Sequence, residues 1–270
     1  MVPGLLAGAA AASPARNVDA HAAVERDGFV WVWGVAGEEP TREPFPLPAF
    51  EGKGSGEAVF SCDLDCTLHA ALENSLDVPH TAYLHRGIFR GGGSAADVTA
   101  VRREVPGGLE VEFIGEPVGF GPIRPPGNRT FEHWDRFFLP GIAQIEYRIP
   151  GWLRIVNTIL HLPMGPFRTR AWFVVRFWTR GPASVVRPIV LARGRGILGQ
   201  DAGMLASQAE TTRRFGGERY TSTELDLMGN GIWRLLRQAE RADTGEPSAA
   251  EPTSPDGTDG LSPKTVTFKV

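Results

Sequence analysis

Cysteine is nearly absent: two residues, Cys62 and Cys66, in a chain of 270. That excludes a disulfide framework and suits a reducing cytoplasm, where we expect the protein to reside. Long apolar runs are missing as well. Hydrophobic residues make up 42% of the chain, yet none of their runs approaches a membrane span. Charge of one sign is also scarce. The formal net charge is −3, so no basic field argues for nucleic acid or an anionic membrane. Residues 1–15 are rich in alanine and leucine but lack a basic leader, and Pro3-Gly4 stands where a signal core would begin. What remains is a chain long enough for one sizeable core, or for a large domain with part of another.

Six histidines are present, and two of them stand close together in the stretch Glu73-Asn74-Ser75-Leu76-Asp77-Val78-Pro79-His80-Thr81-Ala82-Tyr83-Leu84-His85. Asn74, Asp77 and His80 are spaced by three and would share a helical face. Pro79 disfavours a continuous path, so it ends one helix and opens the next. His80 and His85 do not share a face of a regular helix. They converge on one ion only if the helix ends or bends between or beside them. Two imidazoles with a carboxylate from elsewhere form the facial triad of a non-haem ferrous site, and zinc accepts the same ligands. The competing reading is a pair of ordinary, partly buried histidines.

The pattern Asn74-x-x-Asp77-x-x-His80-x-x-x-x-His85 resembles the iron motif of the Rieske non-haem iron ring-hydroxylating oxygenases, in the catalytic domain of their alpha subunits. Val24 to Trp33 resembles the strand that closes the Rieske domain of that family. Gln200-Asp201 resembles the segment carrying its third iron ligand. The match in order and spacing covers most of residues 14–240.

The resemblance implies an α+β fold of helix-grip (START/Bet v1-like) type, in which a curved antiparallel sheet closes on a long C-terminal helix around an apolar cavity. It implies His80, His85 and Asp201 as metal ligands for mononuclear Fe(2+). Asp77 would link an iron-ligand histidine to the Rieske cluster of a neighbouring subunit, and Asn74 would lie close behind the ligands. The implied reaction is dioxygen-dependent hydroxylation, demethylation or desaturation of an apolar or aromatic substrate. Its partners would be a ferredoxin or NAD(P)H reductase and, in the full-length form, two further copies in a homotrimer.

A Rieske [2Fe-2S] centre needs Cys-x-His and Cys-x-x-His pairs. Neither precedes Trp31, and Cys66-Thr67-Leu68-His69 lies on the wrong side of it. We therefore expect residues 1–35 to be the C-terminal remnant of a Rieske-type domain, 36–57 a linker, 58–241 the iron domain and 242–270 a disordered tail. An early truncation explains the missing ligands more simply than a cluster on a separate protein or a loss of function. The alternative from another class is a helix-grip protein binding a lipid or polyketide, or an inactive truncated oxygenase. A metal-dependent hydrolase lacks an evident general base beside the triad.

The remaining pattern is read as follows. Strands are expected at 29–33, 58–65, 98–104, 109–114, 129–139, 143–149, 156–163 and 169–179, with Pro106-Gly107-Gly108 as a hairpin turn. Helices are expected over 68–77, capped by Asp65 or Thr67, over 184–215, interrupted by Pro188 and the glycines between 194 and 199, and over 222–241. Gly91-Gly92-Gly93-Ser94 reads as a mobile loop beside the metal, and Thr265 to Val270 as an edge strand. His133 and His161 read as core or pocket-lining residues. Trp134, Trp152, Phe167, Trp172 and Phe177 suggest an apolar ligand, although aromatics in a sheet are usually core.

Overall fold

The computed structural model of the chain describes residues 18–85, 96–117, 130–218, 221–244 and 262–269. The glycine-rich loop at 91–94 and the leader-like residues 1–15 lie outside them. The chain divides into two units, Met1–Pro48 and Ala49–Val270.

The described part of the first unit is a hairpin. Strands β1 (Ala23–Arg26) and β2 (Phe29–Val32) pair antiparallel, with Ala23 opposite Val32. Asp27 and Gly28 join them with φ of 55° and 76°. Positive φ at both central positions is what an Asp-Gly turn provides, and its twist matches that of the strands.

The second unit is an eight-stranded antiparallel sheet with helices against one face. Strand order is β10-β4-β5-β6-β7-β8-β9-β3, from β3 (Ser55–Leu64), β4 (Asp97–Val105), β5 (Gly108–Ile114), β6 (Glu132–Phe138), β7 (Ile142–Ile149), β8 (Leu153–Gly165), β9 (Arg168–Thr179) and β10 (Lys264–Lys269). The helices are α1 (Leu68–Leu76), α2 (His80–Leu84), α3 (Ala183–Arg214) and α4 (Gly229–Thr244). This is the α+β class expected from the sequence.

Side chains alternate across the sheet because strand residues have a period of two. The inner face carries Ala100, Val111, Phe137, Ala143, Ile159 and Ala171, which form one buried cluster with Leu72 and Leu76 of α1, Leu205 of α3 and Ile232 of α4. A second, separate cluster forms where Ala58, Val175 and Phe177 meet Ala183, Val186 and Val190 of early α3. The outer face carries most of the sheet's cations. Arg103, Glu110, Arg136, Glu146 and Arg154 form a ladder of ion pairs from β4 to β8, with contacts of 2.5–2.9 Å. Register also turns Trp134 and Trp172 outward, opposite Glu146 and Leu160. They face away from the helices and do not line a cavity on the inner face.

Several boundaries differ from expectation for local reasons. Helix α3 is unbroken despite Pro188 and the glycines. Gly194 is a packing residue, since a Cβ there would stand 2.8 Å from Cζ of Phe60. Phe60 has little freedom to yield because it stacks flat on Phe173, with centroids 5.1 Å apart. Gly194→Leu should therefore destabilise the protein by about 1–2 kcal/mol, overpacking outweighing the gain in helix propensity. Urea unfolding would measure it.

Helix α4 begins at Gly229 rather than Ser222. Ser222 instead hydrogen-bonds Asn230, and Thr223 and Asp226 close a turn on each other. Strand β3 starts inside the expected linker, at Ser55. Within the expected tail, α4 extends to Thr244, and Lys264–Lys269 forms a strand whose Val266 and Phe268 pack on the core. Residues 245–261 lie outside the described residues.

Candidate metal centre

Three helices and the short connection between the first two build the site. Thr67 caps α1 by accepting a hydrogen bond from the amide of Ala70 at 3.1 Å. Ala70, Ala71, Leu72 and Leu76 then fix the helix on the sheet. Asp77 ends α1 with φ −90° and ψ 94°, and Pro79 at φ −53° starts the single turn of α2. Proline fits there because its fixed φ is helical and its missing amide would be unpaired in any case.

His80 is the first residue of α2, and His85 lies just past its end, at φ −105° and ψ 40°. Leaving the helix brings the second ring back onto the first. The two Nε2 atoms stand 3.3 Å apart, with ring centroids at 5.2 Å. This is the helix end required by a spacing of five.

The third group comes from the middle of α3. Asp201 Oδ1 lies 3.1 Å from His85 Nε2 and 3.7 Å from His80 Nε2. One donor atom from each of the three residues falls within 4.8 Å of the other two. Among the described residues no other group of three His, Cys, Asp or Glu side chains converges in this way. Separations near 3 Å match adjacent ligands of a six-coordinate ion with bonds of ~2.1 Å.

The outward nitrogen of His85 is hydrogen-bonded, and that of His80 faces a carboxylate without a hydrogen bond. His85 Nδ1 donates to Gln200 Oε1 at 2.7 Å, and His80 Nδ1 lies 3.6 Å from Asp77 Oδ2. A proton held on each Nδ1 leaves both Nε2 lone pairs facing Asp201. Asn74, on α1, lies beside the Asp201 carboxylate and favours its charged form. Asp201 Oδ1 is itself buried without a well-formed hydrogen bond. Two facing lone pairs and a buried carboxylate oxygen repel one another unless a cation stands between them. The donor set thus fits a divalent metal.

Electrostatics agree with that reading. Burial raises the Asp201 carboxyl above its ordinary range, against the pull of His85, His80 and Asn74. Burial would lower His80, but Asp77 and Asp201 outweigh it and hold its imidazolium form above the usual value. Next to the site, Glu73 lines a cavity of about 50 Å³ with Asp77, Pro79, Phe113 and Met228. Burial, then the charges of Asp226, Asp77 and Glu218, push the Glu73 carboxyl up to about 7, so it exchanges its proton near neutrality.

Residues 64–242 match the family model of the vanillate O-demethylase oxygenase C-terminal domain. The chain belongs to that family. It is the catalytic domain family of the Rieske oxygenases, as the resemblance in the sequence implied. No curated protein matches in sequence.

Solved structures share the fold of this oxygenase domain. A mutant of NdmA from Pseudomonas putida CBB5 with theobromine is 14% identical, with a TM-score of 0.62, over 83% of this chain and 62% of that one. Dicamba monooxygenase bound to dicamba is 14% identical, with a TM-score of 0.60, over 84% of this chain and 71% of that one. The terminal oxygenase of carbazole 1,9a-dioxygenase from Nocardioides aromaticivorans IC177 is 14% identical, with a TM-score of 0.58, over 87% and 71%. The oxygenase chain described here therefore spans less than two thirds of the NdmA chain.

The other sequence candidates fall elsewhere. Cys62 is half-buried and Cys66 buried. Burial first, then nearby carboxylates, push their thiols up to about 11 and about 12, which suits inert small residues better than ligands. His69 contacts Gly229 O at 3.1 Å and packs edge-on to Trp233. His161 is buried against Gly141 O, and burial pushes it down to about 4. The sequence reading missed Gln200 as the partner of His85. Its only signal was adjacency to Asp201. No helix among the described residues is long and apolar enough to cross a membrane.

Proposed function

We propose that this chain is the iron-bearing catalytic part of a Rieske-type oxygenase that hydroxylates, demethylates or desaturates an apolar or aromatic substrate with dioxygen. The observation that carries the reading is the convergence of His80 Nε2, His85 Nε2 and Asp201 Oδ1 within 4.8 Å. A ferrous ion held by two histidines and one carboxylate on one face keeps positions open and supplies dioxygen activation.

The chain's own residues hold and orient. Gln200 fixes the tautomer of His85, the Asp77 carboxylate faces Nδ1 of His80, and Asn74 lies beside Asp201. Asp77, half-exposed and in contact with a ligand histidine, also suits the family role of linking that histidine to a cluster on a neighbouring subunit. A [2Fe-2S] cluster does not fit this chain, because the cysteine–histidine pairs it needs are absent from the sequence. Electrons would come from a ferredoxin or NAD(P)H reductase by way of a cluster outside these residues. The hairpin of the first unit is then the end of a Rieske-type domain, and the trimer is the assembly that brings a cluster to Asp77.

Anaerobic reconstitution with ferrous ion, followed by metal and acid-labile sulfide analysis, tests the reading. About one iron per chain without sulfide is expected. Protein that retains no iron after reconstitution would be a binding protein or an inactive domain.

A further inference from the structure

Carboxylates gather behind the connection from α1 to α2. Glu73 and Asp77 lie one turn apart at the end of α1 and line the same cavity. Asp226 lines it from the turn before α4, and Glu218 is near enough to act on Glu73. None of the residues lining the cavity is a cation.

Glu73 is fitted to this place. Its carboxyl lies against Gly229, the first residue of α4, where an added Cβ would stand 2.2 Å from Oε1. Glycine leaves room for the carboxyl at the start of a 16-residue helix, whose unpaired amides and dipole favour an anion. Burial, then the charges of Asp226, Asp77 and Glu218, favour the protonated form instead. The opposing influences leave the group poised between its two states.

Among the described residues no hydrogen bond or ion pair holds the Glu73 carboxyl. His69, one turn earlier on α1, contacts Gly229 O at 3.1 Å, and the Arg102 guanidinium donates to the carbonyls of Leu227 and Ser262. Neither is bonded to Glu73. The carboxyl faces a cavity of about 50 Å³, which has room for water. A partly buried carboxyl without a protein partner takes its hydrogen bonds from water, and the same water gives a proton a path. At the other side of the cavity, Asp77 Oδ2 lies 3.6 Å from Nδ1 of His80. The cavity thus joins Glu73 to the back of a metal ligand.

We propose that Glu73 compensates the charge of the iron site. When the site takes one electron from its donor and passes from ferric to ferrous, one proton from solvent crosses the cavity and ends on the Glu73 carboxylate. On oxidation that proton returns to solvent by the same path. Glu73 acts through Asp77 and His80, so it is a positioning residue rather than a catalytic one. The inference rests on the oxygenase reading for the identity of the metal.

Redox titration of the iron-loaded full chain, followed by its ferric electron-paramagnetic signal, tests it. One proton taken up per electron moves a midpoint potential by about 59 mV per pH unit. The wild-type potential should fall with a slope approaching that value as pH rises through about 7. Glu73→Gln should lose the slope at unchanged iron content. Asp226→Asn removes a neighbouring charge, so its sloping range should lie at lower pH. Infrared titration of the metal-free chains gives an independent readout. One carboxyl should lose its proton near pH 7 in the wild type and none in Glu73→Gln. A wild-type potential that ignores pH, a slope that survives in Glu73→Gln, or the lack of a carboxyl titrating near neutrality would overturn the proposal and leave the oxygenase reading standing. Protein that holds no iron would sink that reading and this inference with it.

Discussion

His85→Ala will reduce bound iron to a small fraction of the wild-type content and abolish any oxygenase turnover. The argument is geometric. His85 is 1% exposed, and its Nε2 is the atom common to both short contacts, 3.3 Å to His80 and 3.1 Å to Asp201. Without it the remaining donors lie 3.7 Å apart and cannot define a face of a coordination sphere. Gln200→Leu provides a graded comparison. It leaves all three ligands in place but removes the acceptor that holds the His85 ring by Nδ1, so affinity for iron should fall about 10–100-fold without vanishing. Ferrous titration with a competing chelator distinguishes the two. A Gln200→Leu protein as empty as His85→Ala would show that the side chain of residue 200 holds the fold of the site rather than the ring. Full iron retention in His85→Ala would remove that residue from the ligand set.

Much of this was legible because each rule was local. Thr67 and Pro79 act on their immediate neighbours, and the structure uses both as residue type requires, whereas Val24 to Trp33, read as one strand, is a hairpin that turns at Asp27-Gly28. The spacing of His80 and His85 required a helix end, and α2 ends there. Information was lost where a residue answers to something distant in sequence. Gly194 reads as a helix breaker in its own segment but is set by Phe60, which lies on β3. Ser222 reads as a helix cap, yet its hydroxyl is taken by Asn230 and the helix waits until Gly229. Trp134 and Trp172 read as cavity aromatics because the face of a strand residue depends on register, which the partner strands decide.

The pairing of β5, β6 and β7 creates an inner-face group sensitive to pH, and its removal should be the most damaging single change to stability. His133 is fully buried, stacked between Phe113 at 4.6 Å and Tyr147 at 4.0 Å, and bonded through both nitrogens to Glu116 and Asp135. Burial alone would lower its pKa. The charges of Asp135 and Glu116, with the hydrogen bonds to both, prevail and raise it to about 9. A folded pKa above the unfolded value of about 6.5 means that the stabilisation is complete below pH 6.5. It is lost as pH rises through about 9, amounting to about 3 kcal/mol across that window. Urea unfolding at pH 6.5 and 9.5 measures it, and a flat profile would show that His133 carries no proton at neutrality. His133→Leu removes the cation and leaves two carboxylates buried together, a loss of about 3–5 kcal/mol at pH 7. Glu116→Gln and Asp135→Asn added to that variant should restore much of the stability, because the penalty lies in unpaired charge rather than lost volume. If the triple variant is no more stable than His133→Leu, the stacking on Phe113 and Tyr147, not the charge, holds β5, β6 and β7 together at this point.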